Sequence, residues 1–92
     1  MQYLKCRWIH NFDDEPILIY SELDNDRFEL KKIHIYRNGE IGYAYQEIEF
    51  LDTRLGEVPV PEIEEIRADP QFVPEYIAEE EFQKIWNEKI AR

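Results

Sequence analysis

Residues 33–45 read IHIYRNGEIGYAY. On either side of Asn38-Gly39, the side chains alternate between the two faces of a predicted strand. Asn and Gly both tolerate positive φ, so this pair predicts a two-residue type I′ turn between antiparallel strands. Such a turn pairs Ile35 with Gly42 and Ile33 with Ala44. We therefore expect a hairpin whose isoleucine face is lined by small residues, leaving room for a helix to lie close.

The alternation extends upstream of this hairpin. Residues 3–9 and 17–23 alternate with period two, as half-buried strands do, and a third strand runs from about 28 to 36. In this third strand the apolar residues shift from even to odd positions near Lys31-Lys32, which indicates a β-bulge there. Asp24-Asn25-Asp26 is typical of a turn, and residues 47–51 are a candidate fifth strand.

Downstream the pattern becomes helical. Pro61 suits the first turn of a short helix over 62–68, and Asp69-Pro70 ends it. Residues 72–77 are expected to be an extended connector. A last helix over 79–90 has no side-chain oxygen at Ala78 to cap it. Its apolar stripe consists of Phe82, Ile85, Trp86 and Ile90.

These elements predict one α+β domain spanning residues 1–92. A four- to five-stranded, mainly antiparallel sheet has two helices packed on one face, and Trp86 lies against the side of Gly42 and Ala44. The expected core consists of Leu4, Cys6, Trp8, Ile17, Ile19, Ile33, Ile35, Ile63, Ile66, Phe82, Ile85 and Trp86.

Charge excludes several classes of function. The 92 residues carry 11 basic and 21 acidic groups, a net charge of −10. Residues 47–92 hold 13 of the acidic groups and 5 of the basic ones, a net of −8. Double-stranded nucleic acid is an unfavourable partner for such a chain, and a basic protein is a favourable one, although an acidic surface that serves only solubility has the same composition. The single Cys6 and the absence of a long apolar run predict a cytoplasmic protein that does not enter a membrane.

No pattern of catalytic or cofactor-binding residues is present. The carboxylate runs lack the spacing of a metal loop, and three glycines form no phosphate-binding loop. Cys6 lies on an apolar strand face and is expected to be a core residue. Arg27 is expected to hold its turn by pairing with nearby carboxylates. We therefore predict a protein that is not an enzyme and has no catalytic residue, metal ligand or cofactor.

Two surfaces are candidates for partner binding. Strand alternation places most tyrosines on one sheet face together with basic groups, which suits recognition, although an ordinary solvated or covered face has the same pattern. Carboxylates around one turn and at the start of the first helix form the second surface. The candidate partner-binding residues are Tyr36, Tyr43, Tyr45, Asp24, Asp26, Glu62, Glu64 and Glu65.

Several segments carry a resemblance to a known family. They include Trp8-Ile9-His10, Leu18 to Asp24 with its Ser-Glu-Leu-Asp segment, Arg37-Asn38-Gly39, and Thr53 to Pro59. Together they resemble a family of small stand-alone bacterial domains of about ninety residues and unknown function. The resemblance implies a bacterial, single-domain, cytosolic protein and transfers no catalytic residue.

Three functions are compatible with these observations. The first is a non-enzymatic interaction protein, such as an immunity or inhibitor protein that neutralises a basic nuclease-type toxin through its carboxylates. The second is a binding module whose tyrosine-rich sheet face takes a peptide, a small ligand or single-stranded nucleic acid. The third is an uncharacterised enzyme whose site is assembled only in three dimensions.

Overall fold

The computed structural model describes residues 1–91 and has the α+β architecture that the sequence predicts. Six strands and two helices follow one another along the chain. They are β1 (Gln2–Trp8), β2 (Pro16–Leu23), β3 (Glu29–Tyr36), β4 (Ile41–Tyr45), β5 (Ile48–Phe50), α1 (Ile63–Arg67), β6 (Phe72–Ile77) and α2 (Glu79–Lys89).

All neighbouring strands are antiparallel, in the order β5-β4-β3-β2-β1-β6. The prediction of four or five strands was wrong because the supposed connector over 72–77 is β6, paired with β1 from Tyr3–Ile77 to Trp8–Phe72. Pro74 lies in this strand, and proline is tolerated there because β6 is at the sheet edge. The predicted bulge is present, since one extra residue of β3 separates the pairs Glu22–Lys31 and Leu23–Glu29.

The β3–β4 hairpin has a different turn from the predicted one. Gly39 has a φ of +91° while Asn38 keeps a negative φ, and Tyr36 N–H donates to the Glu40 carbonyl at 2.9 Å. The connection is therefore a three-residue loop closed by a glycine bulge. Ile35 pairs with Ile41, not Gly42, and Ile33 pairs with Tyr43. Since a one-residue shift moves each side chain to the other face, the predicted faces of β4 are exchanged.

One face of the sheet, which we call the helix face, is covered by α2. It carries Tyr3, Tyr20 and Ile33, which are buried together with Phe82 and Trp86 of the helix. The Trp86 ring lies 5.1 Å from that of Tyr45 and 6.3 Å from that of Tyr43. Trp86 therefore packs on the tyrosine side of β4, and its predicted position against Gly42 and Ala44 was wrong.

The opposite face, which we call the crossover face, carries Leu4, Cys6, Ile19, His34 and Ala44. The chain crosses it between β5 and β6, because β5 and β6 are at opposite edges of the sheet. Ile66 of α1 lies over this face beside Leu4 and Ile19. The two helices are thus on opposite faces, and the prediction that both pack on one face was wrong.

The predicted core is divided between these two layers for the same reason. Leu4 and Cys6 are buried on the crossover face, whereas Ile33, Phe82 and Trp86 are buried on the helix face. The remaining predicted core residues are only half-buried, namely Trp8, Ile17, Ile19, Ile35, Ile63, Ile66 and Ile85. Neither helix within residues 1–91 is long and apolar enough to cross a membrane.

Candidate functional site

The turn between β2 and β3 is built by Asp24. Its Oδ1 accepts hydrogen bonds from Asp26 N–H at 2.9 Å and Phe28 N–H at 3.0 Å, the local bonding that the Asp-Asn-Asp sequence predicts. Arg27 follows with a φ of +68°, a conformation uncommon outside glycine. This backbone aims the Arg27 side chain away from the turn and towards the segment before α1.

Arg27 joins this turn to the crossover segment, which we define as residues 51–71 between β5 and β6. Its guanidinium donates to the carbonyls of Val60 at 2.9 Å and Pro61 at 2.7 Å, and to Tyr76 Oη at 2.9 Å. Its Nε lies 3.7 Å from Glu62 Oε1, and Val60 N–H donates back to the Arg27 carbonyl at 2.8 Å. The guanidinium also donates to Gln2 Oε1 at 2.8 Å. Arg27 does pin the turn, but through acceptors far away in sequence and not through the neighbouring carboxylates that we expected.

The consequence is that two acidic segments far apart in sequence meet on one surface. Asp24, Arg27 and Glu62 line a common cleft of about 350 Å³. Within residues 1–91, Asp26 and Glu65 take part in no ion pair, while Glu64 pairs with Arg67 at 2.9 Å. We call Asp24, Asp26, Glu62, Glu64 and Glu65 together the acidic edge; Asp24 and Glu62 line this cleft, and Glu65 lines a second cleft over Leu4 and Ile19.

The tyrosines do not form the single exposed face that the alternation predicted. Tyr43 and Tyr45 are on the helix face, half-buried against Trp86, with Tyr3 and Tyr20 in the core beneath α2. Tyr36 is on the crossover face, where its hydroxyl donates to the Leu51 carbonyl at 3.2 Å. The predicted grouping of Tyr36 with Tyr43 and Tyr45 was therefore wrong, because the hairpin register differs by one residue.

An aromatic patch nevertheless remains at the β4–β5 edge. The rings of Tyr43 and Phe50 stack at 5.2 Å, and Tyr45 pairs across the hairpin with Ile48. Phe50 is 51% exposed and Ile48 is 46% exposed. We call Tyr43, Tyr45, Ile48 and Phe50 the aromatic patch.

The half-buried His34 is a polar group with an altered pKa. Its Nδ1 lies 3.3 Å from the Thr53 hydroxyl, which is also 3.2 Å from the Leu51 carbonyl. Burial, assisted by the charge of Lys32, lowers the pKa of His34 from 6.5 to about 4. A hydroxyl beside an imidazole resembles a nucleophile with its base, but Thr53 is fully buried and inaccessible to a substrate. The pair therefore anchors the crossover segment to β3.

Other potentially reactive side chains also have structural roles. Cys6 is buried as predicted, and burial raises the pKa of its thiol, which disfavours the reactive thiolate. Burial and a hydrogen bond to Glu22 raise the pKa of Tyr3 to about 12. Within residues 1–91, no group of three or more His, Cys, Asp or Glu side chains is placed to hold a metal ion.

The Ser-Glu-Leu-Asp segment is structural in every position. Ser21 Oγ donates to Glu29 Oε2 at 3.1 Å, and Glu29 also accepts the Gly56 N–H at 2.6 Å. Glu22 is buried within 3.4 Å of Gln83 Nε2 on α2, and Leu23 is fully buried. The segment therefore ties the crossover segment to one face and α2 to the other, with Asp24 building the turn.

A comparison of the whole chain with protein families gives a match. A sequence model described as a domain of unknown function, DUF6881, matches residues 2–91. The chain belongs to this family. No curated protein and no solved structure matches the chain. The region matched by the DUF6881 family model includes both helices and all six strands of the fold.

Proposed function

We propose that this protein is a non-enzymatic interaction protein that neutralises a basic protein partner, with a nuclease-type toxin as the specific candidate. In this proposal it acts as an immunity or inhibitor protein in the bacterial cytoplasm. The acidic edge attracts the partner and occupies the cationic groove that would otherwise bind phosphates. The bacterial origin and the Ser-Glu-Leu-Asp signature that the sequence suggested belong to the same proposal.

The observation that supports it is the Arg27 clamp. Arg27 uses a side chain only 12% exposed to hold the Asp24 turn against Val60 and Pro61, which brings Asp24 and Glu62 to one cleft. Two backbone carbonyls and the side-chain oxygens of Gln2 and Tyr76 accept its hydrogen bonds. The Asp26 and Glu65 carboxylates are not used by this clamp and are exposed to solvent. A fixed arrangement of exposed carboxylates is suited to steering a cationic partner.

The aromatic patch is a second candidate contact. Exposed Phe50 and Ile48 flank Tyr43 and Tyr45, and aromatic residues commonly contribute much of the energy of protein interfaces. This arrangement preserves a smaller version of the tyrosine-rich binding surface, without Tyr36. It would take an apolar peptide segment of a partner, with weaker salt dependence than the acidic edge.

The test begins with the product of a neighbouring toxin gene, or a partner captured from the native host. Association with the purified partner is measured by biolayer interferometry at low and high salt. We expect a variant with Glu62, Glu64 and Glu65 changed to Lys to associate about tenfold more slowly at low salt. If the partner is a nuclease, its cleavage of plasmid DNA falls with added wild-type protein and is restored with the variant.

The matched control changes Glu79, Glu80 and Glu81 to Lys. These residues are also three exposed carboxylates at the start of a helix, so the change in net charge is the same. We expect this control to slow association much less. Equal slowing by both variants would contradict the acidic edge as the binding surface. If binding is lost in a Phe50→Ala, Tyr43→Ala variant and in neither charge variant, the aromatic patch is the binding surface.

A further inference from the structure

The helix face is covered over only part of its area. Beyond the residues that contact α2, a cleft of about 570 Å³ opens at the Trp8 end of β1, and no residue of α2 lines it. This volume is within the range of about 300–1,000 Å³ found for small-molecule sites. The cleft lies at the opposite end of β1 from Gln2, which lines the cleft of the acidic edge.

The cleft has the opposite charge from the rest of the protein. Lys5, Arg7 and Arg37 line it with a single carboxylate, Glu75, in a chain whose net charge is −10. The side chains between these groups are largely apolar, and Ile9 and Val73 are about half exposed, at 52% and 50%. Apolar walls with a local excess of cations complement an anion attached to an apolar body.

The register shows which cation is available. Lys5 lies across from Glu75, with 3.8 Å between Nζ and Oε1, so its charge is partly matched. Arg7, two residues further along the same face, lies between Val73 of β6 and Leu18 of β2. Within residues 1–91 no hydrogen bond or ion pair engages the exposed Arg7 guanidinium. The Arg7 guanidinium therefore has free N–H donors and lies between two apolar side chains.

The far wall of the cleft is held rigid by its own hydrogen bonds. Arg37 donates to the His10 carbonyl at 2.7 Å and to the Phe12 carbonyl at 3.3 Å, and its Nη1 is 4.0 Å from Asp13. His10 Nδ1 accepts the Phe12 N–H at 3.0 Å, so Nε2 carries the proton donated to the Pro16 carbonyl at 2.8 Å. Both side chains therefore serve as structure, which leaves Arg7 as the group able to bind a ligand.

We propose that this cleft binds a small organic carboxylate with an aromatic or branched apolar body. The Arg7 guanidinium holds the carboxylate through two parallel N–H···O hydrogen bonds, a geometry for which its planar fork is suited. Ile9, Leu18 and Val73 contact the apolar body. The site is independent of the proposed partner-binding function, because it lies on other elements and has the opposite charge.

The experiment titrates ¹⁵N-labelled protein with 2-naphthoate and follows the backbone amides of β1 and β6 by NMR. Saturable shifts at Arg7 and Val73 are expected. Acetate lacks the apolar body and 2-naphthalenemethanol lacks the charge, so each should bind about tenfold or more weakly. Equal binding of the neutral alcohol, or no saturable shift at these amides with millimolar naphthoate, would overturn the proposal.

Two variants identify the binding group. Arg7→Gln should weaken naphthoate binding about tenfold or more, because it removes the charge and the bidentate geometry. Lys84→Gln removes an exposed cation of α2 outside the cleft and should leave the affinity unchanged. Since the Arg7 side chain is exposed, its variant should keep the wild-type melting temperature. Unaltered affinity in Arg7→Gln would refute the assignment.

Discussion

The Thr53 hydroxyl occupies the space next to the Gly42 Cα atom that the side chain of any other amino acid at position 42 would fill. A Cβ built on Gly42 would overlap Thr53 Oγ1 and lie 3.2 Å from the Leu51 carbonyl oxygen. Leu51 and Asp52 both have positive φ, so the turn that delivers Thr53 is tightly bent. Gly42 therefore lets the crossover segment lie against the sheet, and Thr53 connects that segment to His34.

Gly42→Ala should destabilise the protein by about 1–3 kcal/mol, because the added methyl forces the Leu51–Thr53 backbone outwards. Chemical denaturation measures the change in the free energy of unfolding. Thr53→Ala removes the overlapping oxygen, so the double variant should be less destabilised than the sum of the single ones, by about 0.5 kcal/mol or more. Strict additivity would show that the two positions do not compete for this space.

Arg27→Gln should destabilise the protein by about 2–3 kcal/mol, since it removes charge-assisted hydrogen bonds from a nearly buried site. The measurement is the denaturant midpoint. The control is Arg54→Gln, whose side chain is 81% exposed with its Nε 3.7 Å from Glu49, and it should change stability by no more than about 0.5 kcal/mol. Similar losses in both variants would mean that Arg27 is an ordinary surface arginine.

The half-buried His34 makes stability depend on pH. Because the pKa of His34 is lowered from 6.5 to about 4, the unfolded chain binds its proton more readily than the folded one. The contribution is fully present above pH 6.5 and is lost as the pH falls towards 4, up to about 3 kcal/mol.

Carboxylates also titrate towards the acid end of this range, so the informative quantity is the difference between wild type and His34→Gln. We expect the wild type to lose more stability than the variant between pH 7 and pH 4.5, measured by urea denaturation at each pH. An NMR titration of the His34 ring provides the pKa directly. A midpoint near 6.5 would show that the ring is solvated.

Ala78→Ser should stabilise α2 by about 0.5–1 kcal/mol. Ala78 is the N-cap, with φ and ψ of −74° and 152°, and it has no side-chain oxygen for the free N–H groups of the first turn. Thermal melts can detect this gain. Ala91→Ser, which makes the same change after the helix ends, is the matched control and should leave the melting temperature unchanged.

Local sequence predicted the elements that depend on local interactions. The apolar stripe of α2, the Asp24 turn and the positions of the first four strands all arise from residues a few positions apart, and the structure confirms them. β6 was missed because Pro74 argues against a strand unless the strand is at an edge. The order of strands in a sheet depends on distant pairing, which residues 72–77 by themselves do not specify.

The hairpin shows how one local choice affects the whole face assignment. Asn38-Gly39 is compatible with both a two-residue and a three-residue loop, and the two differ by one residue in register. The three-residue loop places Tyr43 beside the helix-face core of Tyr3, Tyr20 and Ile33 under Phe82, whereas the two-residue loop would place Gly42 and Ala44 there. The choice is therefore made by packing energy summed over several strands.

The sequence by itself determined the α+β class, the helix and turn positions, the acidic charge and the burial of Cys6, because these depend on composition and short-range periodicity. Only the tertiary structure decided that the helices lie on opposite faces and that Arg27 brings Asp24 and Glu62 together. It also decided that Arg7 lies unpaired between Leu18 and Val73. Each of these depends on contacts between residues far apart in the chain, whose geometry is set by strand order and register.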